Sequence, residues 1–242
     1  MAVHDNPRIV SNGLILCLDA ANPKSYPGSG TTWFDISGND NHFTLYNSPT
    51  FTDGAISFDG TNDFANSTNT LNLSPYNSVT IETIIKPVSG NNGIVYEHGV
   101  FSLDNGDVNF AINTGGNGFY EANTAYLNHE GLPKIYSSNL NTNGWSFHSH
   151  THSQIVDSNG RYAFQDGQSK QFLVSFDTDA STATDTFTSL INQTMYLGSR
   201  SPTVTFFFPY KGLISSFRIY NRKLTLAEHR INFNAFRGRF GI

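Results

Sequence analysis

The stretch Val79-Thr80-Ile81-Glu82-Thr83-Ile84-Ile85-Lys86 places Val79, Ile81 and Ile85 on one face and Glu82 and Lys86 on the other. A two-residue period of this kind is that of a half-buried β-strand. Residues 108–112, 170–176 and 213–220 read the same way. Between such runs stand Asn12-Gly13, Asp53-Gly54, Asp59-Gly60, Asn105-Gly106, Asn159-Gly160 and Asp166-Gly167. Each pair can supply the positive φ that a tight turn requires. The last two bracket Arg161-Tyr162-Ala163-Phe164, which reads as a short strand between turns. Many short strands spaced by such turns predict an all-β sandwich or barrel.

One helix is predicted, at the end of the chain. Thr225-Leu226-Ala227-Glu228 has the form of a capping box, in which the Thr hydroxyl and the Glu carboxylate satisfy each other's backbone amides. Ala227, Ile231 and Asn234 follow at helical spacing, with Phe233 and Phe236 nearby, and Gly238 is the expected stop. The organisation expected is an N-terminal arm over residues 1–12, a sandwich over 13–224, and a helix and tail over 225–242. The segment 177–189, rich in Ser, Thr and Asp, is expected as an exposed loop.

At 242 residues the chain can bury a large core without covalent staples, and Cys17, its only cysteine, can form no intrachain bridge. Within Leu14-Ile15-Leu16-Cys17-Leu18 that thiol is expected to pack as a small hydrophobe. Charged residues make up 14% and aromatics 14%, so Asn, Ser, Thr and Gly must supply much of the surface. A net charge of −5 argues against nucleic-acid binding, which needs clustered cations. Residues 1–7 are polar, and the apolar run at 14–18 is too short for a signal-peptide core or a membrane span. Synthesis in a cytoplasm without a signal peptide, and no membrane partner, are expected.

Several ordered motifs resemble one family. They are Gly13-Leu14-Ile15-Leu16-Cys17-Leu18-Asp19-Ala20, the segment from Asn22 through Tyr26-Pro27-Gly28 to Trp33, Asp35-Ile36-Ser37-Gly38-Asn39, and Ile56-Ser57-Phe58-Asp59-Gly60. Thr80-Ile81-Glu82, Leu197-Gly198-Ser199-Arg200 and the run from Gly212 to Arg222 complete the set. Together they resemble laminin G-like domains of the concanavalin A-like lectin/glucanase superfamily. The Tyr-Pro-Gly opening and the Asn-Phe-Asn-Ala-Phe-Arg-Gly-Arg-Phe-Gly ending resemble copies found in structural proteins of tailed bacteriophages. The resemblance implies a two-sheet antiparallel β-sandwich, a concanavalin A-like jelly roll with one short C-terminal helix. It further implies a non-enzymatic protein of the virion surface, a capsid decoration protein or a related tail or fibre appendage. Such a protein acts by packing and adhesion on other virion proteins of capsid or tail, or by self-association. A lectin-like module that recognises host glycans is the alternative, weak glycan binding is compatible with both, and a glycoside hydrolase is the third reading.

The hydrolase reading lacks its motif. The glucanase branch carries Glu-x-Asp-x-x-Glu on a strand, and Glu82 is followed instead by Thr83 and Ile84, while Glu97, Glu121, Glu130 and Glu228 stand alone. His148, His150 and His152 would share one strand face. Adjacent same-face residues lie about 6.6–7 Å apart, which strains three imidazoles around one metal, so a structural ladder is expected. No cofactor is expected. Calcium is the commoner metal among relatives of this fold, and Asp35, Asp40, Asp59, Asp63, Asp104 and Asp107 lie in or near turns, yet no loop has a regular ligand spacing. Asp35, Asn39 and Asn41 are expected to make Asx-type turns. Tyr26, Trp33, Tyr120, Tyr126 and Tyr136 are candidates for a sugar platform. Arg218, Arg222, Lys223, Arg230, Arg237 and Arg239 form a basic end on an acidic chain, and Arg230, Arg237, Arg239, Phe240 and Ile242 are the expected partner-binding residues.

Overall fold

A computed structural model describes residues 8–88, 93–98, 110–114, 122–124, 134–135, 144–153, 162–165, 174–175, 193–202 and 208–242. The described strands form two seven-stranded antiparallel sheets and one small ladder. Sheet A runs β13 (Tyr162–Gln165), β12 (Ser146–Ser153), β7 (Ser78–Pro87), β16 (Lys211–Tyr220), β5 (Ala55–Asp59) and β4 (Thr50–Thr52). β1 (Leu14–Asp19) joins the same sheet on β16. One edge of β16 is shared between two partners, since Lys211–Ile214 pairs with β5 while Ser216–Tyr220 pairs with β1. Its other edge pairs with β7 along its length. Sheet B runs β10 (Ala122–Thr124), β9 (Phe110–Thr114), β8 (Gly93–His98), β15 (Met195–Leu197), β6 (Phe64–Ser67), β3 (Phe43–Tyr46) and β2 (Thr32–Trp33). β11 (Lys134–Ile135) pairs with β14 (Val174–Ser175). The two-sheet sandwich, with a C-terminal helix as the single helix among the described residues, is as the sequence predicts.

The core lies between the sheets. Val79, Ile81 and Ile85 point into it from β7, with Leu16, Leu18, Phe58, Phe217 and Ile219 from their neighbours and Phe43, Leu45, Val95 and Leu197 from sheet B. Gly198 has φ of +82°, and a Cβ there would stand 2.3 Å from the Phe58 ring, so the close approach of the two sheets requires glycine. Asp53 and Gly54, at φ of +52° and +71°, make the tight turn from β4 to β5 that their pairing in sequence predicts.

The alternation of β7 does not mean half-burial. Glu82 is fully buried, because the helix α1 (Leu226–Phe240) lies on the outer face of sheet A. Phe233 and Phe236 of α1 pack with Ile84 and Phe147 of β7 and β12 in a second apolar cluster. The capping box forms as predicted, with Glu228 N donating to Thr225 Oγ1 at 3.3 Å and Thr225 N to Glu228 Oε2 at 2.8 Å. The stop is not Gly238, which lies within the helix. Gly241, left-handed at φ of +69°, ends it, and the amides of Gly241 and Ile242 both donate to the Arg237 carbonyl. The buried face also differs from the apolar spacing, for it consists of His229, Asn232, Phe233 and Phe236 while Ile231 is 47% exposed. The helix meets a sheet face that carries a carboxylate and a guanidinium, and polar residues answer them.

Both ends of the described chain lie on this face. Residues 8–12 do not stand off as an arm, since Ile9 joins the second cluster, Val10 N donates to Asn232 Oδ1 at 2.8 Å, and Tyr220 Oη donates to the Val10 carbonyl at 3.1 Å. Beyond the helix, Ile242 packs on the same cluster, and within its last turn the Phe240 ring lies 4.8 Å from that of Trp145. Among the described residues no helix is long and apolar enough to cross a membrane.

Candidate functional site

Two sheet faces were available for function, and the structure treats them differently. On the outer face of sheet A the sealed group is Glu82. Its Oε2 accepts from Arg218 Nε at 3.1 Å and from Asn232 Nδ2 at 2.9 Å. Its Oε1 accepts from Ser149 Oγ at 3.2 Å and lies 3.5 Å from His229 Nδ1. Burial pushes the Glu82 carboxyl up, but the Arg218 guanidinium and the bonds from His229 and Asn232 outweigh it and hold the group below the usual glutamate range. Arg218 donates also to Ser216 Oγ at 3.1 Å, and its guanidinium carbon lies 4.2 Å from the centroid of the Phe236 ring. Arg218 is therefore not part of an exposed basic end, because alternation in β16 turns Ile219 to the core and places Arg218 and Tyr220, both fully buried, under the helix.

This cluster is not arranged for nucleophilic catalysis. Ser149 Oγ lies 2.8 Å from His229 Nδ1, and Glu82 approaches that same nitrogen. A serine is activated when its base uses one ring nitrogen for the hydroxyl and the other for the carboxylate. Here one nitrogen meets both. Cys17, buried in β1, has its thiol pushed up to about 12 by burial, so it is no nucleophile either.

The aspartates expected near turns build loops. Asp35 Oδ1 accepts from the amides of Cys17 and Ser37, each at 2.8 Å, and its Oδ2 accepts from Ser37 Oγ and Asn41 N. Asn41 Nδ2 and Asn39 Nδ2 donate to the carbonyls of Ile15 and Leu14. The loop thus caps the edge of β1 that has no strand partner among the described residues. Of the three residues predicted to make Asx-type turns, Asp35 does so through Ser37 N, while Asn39 and Asn41 act instead as side-chain donors to β1. Asp59 Oδ1 accepts from the amides of Thr61 and Asn62, and its bonds, that from Thr61 first, hold its carboxyl below the ordinary range. Asp63 Oδ2 accepts from Asp59 N, and burial raises its carboxyl. Asp40 is exposed. Among the described residues no group of three His, Cys, Asp or Glu could hold a metal. Asp104 and Asp107 lie outside the described residues.

β12 carries His148, His150 and His152 opposite Thr83, Ile81 and Val79. His148 is buried, with Nε2 2.7 Å from Ser146 Oγ.

Of the candidate aromatics for a sugar platform, Trp33 is fully buried in the core, and Tyr26, also core, donates its hydroxyl to the Gly30 carbonyl at 2.8 Å. Strand alternation in β2 and the tight 26–30 loop turn both rings inward. Tyr120, Tyr126 and Tyr136 lie outside the described residues. Of the basic end, Arg222 forms an ion pair with Glu228 at 2.6 Å, so Glu228 is not isolated. Arg239 pairs with Asp19 at 2.7 Å. Arg230 and Arg237 remain exposed on α1, beside exposed Leu226 and Ile231.

The outer face of sheet B escaped the reading of the sequence. In β15, β6, β3 and β2 the register aligns Tyr196, Asn66, Thr44 and Thr32 in one cross-strand row, and Phe64 with Tyr46 in the next. Their neighbours Leu197, Ala65, Leu45 and Trp33 point into the core, so these side chains point out. The four strands contain no Lys, Arg, Asp or Glu. A strand of two to four residues gives too short an alternation to show its outward face without its partners.

No family model and no curated protein sequence matches the chain. Solved structures do match. A Trypanosoma rangeli sialidase in complex with sialic acid shares 14% identity at a TM-score of 0.62, over 91% of this chain and 32% of the sialidase chain. The binding domain of botulinum neurotoxin DC in complex with rat synaptotagmin II shares 15% identity at 0.62, over 93% of this chain and 52% of that one. The same toxin domain in complex with SialylT gives 15% and 0.59 over the same shares. What they have in common with this chain is the two-sheet β-sandwich fold. The chain spans about a third of the sialidase and about half of the toxin domain.

Proposed function

We propose that this β-sandwich is a non-catalytic adhesion domain that recognises carbohydrate. The observation that carries the reading is the outer face of sheet B, where hydroxyl, amide and aromatic side chains stand in cross-strand rows on strands without a charged residue. Sugars are bound by such mixtures, with apolar contact for the ring and polar groups for orientation. The structural neighbours support the reading, since their sialidase and toxin chains are complexed with sialic acid and SialylT. The sealing of Glu82, the carboxylate on a central strand, supports the absence of catalysis, because paired carboxylates must reach a glycosidic bond.

The finer setting is a tailed-bacteriophage virion surface, within the concanavalin A-like, laminin G-like branch. It rests on the resemblance of the opening and closing motifs. Capsid decoration and a tail or fibre appendage both place the domain on a particle, docked through the exposed face of α1 around Arg230 and Arg237.

The purified protein is to be screened on a glycan array and incubated with β-glucan and 3′-sialyllactose. Retention of a glycan without release of sugar is expected. Robust turnover that one carboxylate substitution abolishes overturns the non-catalytic reading, and a silent array overturns glycan recognition. Proteomics of purified particles with copy number tests the setting: hundreds of copies place it on the shell, a few to tens on the tail, and none removes it from the virion.

A further inference from the structure

We infer that the ligand of sheet B is a neutral oligosaccharide lying across Tyr46, Thr44 and Asn66, a specificity that rests on the glycan-binding reading above. Tyr46, at the end of β3, is 40% exposed, whereas its cross-strand partner Phe64 is 7% exposed. The two rings are parallel within 7°, with centroids 4.8 Å apart. Stacking on a buried ring fixes the plane of the exposed one, and a fixed exposed aromatic offers the apolar side of a pyranose a surface at little cost in rotamer freedom.

Polar groups lie beside the ring at sheet spacing. Thr44 and Asn66 are half-buried, directly opposite one another, with half-buried Thr32 at one end of their row and Tyr196 at the other. Tyr196 is itself buried, so the open part of the row crosses β2, β3 and β6 and runs about 10 Å, the length of a disaccharide rather than of one sugar. Threonine hydroxyls donate and accept, and an asparagine amide does both through separate atoms, as vicinal sugar hydroxyls require. Just past Tyr46, Asn47 and Ser48 both adopt left-handed backbone, at φ of +65° and +76°. Asn47 Nδ2 donates to the Asn62 carbonyl at 2.6 Å and ties this turn to the chain that enters β6. Two successive non-glycine residues in that region are a strain that concentrates at ligand sites.

The charge of the ligand follows from the strands. A sialylated or uronic sugar presents a carboxylate, and burying it against a face without a cation is costly. β2, β3, β6 and β15 offer no Lys or Arg to meet it. The face therefore selects neutral chains.

The test immobilises lactose-terminated, α-glucan, β-glucan and galactan chains beside 3′-sialyllactose and measures binding of the whole protein. At least one neutral chain is expected to bind, and lactose to bind more tightly than 3′-sialyllactose. Tyr46→Ala is expected to weaken binding by about tenfold or more, while Tyr46→Phe, which keeps the ring, stays within about twofold. Asn66→Asp, which adds a charge to the row, is expected to weaken it as well. Melting temperatures accompany each variant, and should Tyr46→Ala not fold, the Tyr46→Phe and Asn66→Asp pair carries the test. A folded Tyr46→Ala that binds like the parent overturns this inference and leaves the glycan reading standing. A preference for 3′-sialyllactose overturns the neutral assignment. A protein that binds none of the neutral chains overturns the inference, and one that binds no glycan at all overturns both.

Discussion

The two sheets handle polar groups in opposite ways. Sheet A carries a full ion pair, Glu82 with Arg218, and closes a helix over it. Sheet B carries a histidine in its interior and keeps it neutral: burial first, against the opposing bond to the Leu71 carbonyl, lowers His98 to about 4, with Tyr96 Oη 3.0 Å from its Nδ1. Its contiguous strands β15, β6, β3 and β2 carry no charged residue. A face that must be covered can hold charges because its cover supplies partners, as Asn232, His229 and Phe236 do here. A face left for a ligand holds groups that water satisfies until the ligand arrives. The difference marks the outer face of sheet B as the place for the proposed adhesion, and it can be broken experimentally from either side.

The largest effect is expected on sheet A. Arg218→Met leaves Glu82 buried without its cation, and losing one partner of a buried pair costs about 3–5 kcal/mol. Chemical denaturation should show that loss at pH 7 and a smaller one at pH 4. Without Arg218, burial raises the folded-state carboxyl above its unfolded value, so the stability it allows is present at low pH and lost as pH rises. The double variant Glu82→Leu, Arg218→Met should recover most of the loss, because apolar replacement of a buried pair is often neutral. A single variant as stable as the parent would mean that the helix does not seal the pair.

Sheet B should respond to pH in the other direction. His98 is held near 4 in the fold against 6.5 for the free side chain, so the unfolded chain binds more protons between those values. Stability is then complete above about pH 6.5 and falls by up to about 3 kcal/mol as the pH drops to 4. His98→Gln should flatten that slope whatever it does to stability at pH 7. The Glu228 carboxyl, lowered to about 2 first by the Arg222 guanidinium, acts in a separate window, since its contribution is lost only as the pH falls from 4.5 towards 2. An unchanged slope in His98→Gln would place the titrating group elsewhere.

The fold was legible in the sequence because local signals agreed: the inward alternation of Val79, Ile81 and Ile85, the Asp53-Gly54 turn, and the Thr225 capping box all stand where they were read. The site was legible only in part. Glu82 looked solvent-facing because alternation records two faces and not what covers them. Trp33 and Tyr26 looked available because aromatics near loops are indistinguishable in sequence from aromatics that turn inward. Tyr46 and Asn66 gave no signal, since their meaning lies in the register between β3 and β6, which pairs residues 18 to 24 positions apart.

The smallest stability effect, and the one that tests attachment, concerns the solvent side of α1. Arg230 and Arg237 are exposed, and no ion pair engages either among the described residues. Replacing both with Ala should change stability by about 0.5 kcal/mol or less, Arg237 contributing slightly as a cation in the last turn. Phe240, Ile242 and Arg239 behave differently, for they already pack on Trp145, the second cluster and Asp19. Deleting residues 237–242 removes these contacts together with the Gly241 cap, so it should lower the melting temperature of the monomer and cannot by itself report on docking. The double arginine variant can. If α1 docks on an acidic surface of the particle, the parent protein should associate with particles in a manner weakened by salt, and Arg230→Ala, Arg237→Ala should lose association while melting like the parent. Undiminished association of that variant would move the attachment surface away from α1 and leave exposed Leu226 and Ile231 as ordinary surface residues.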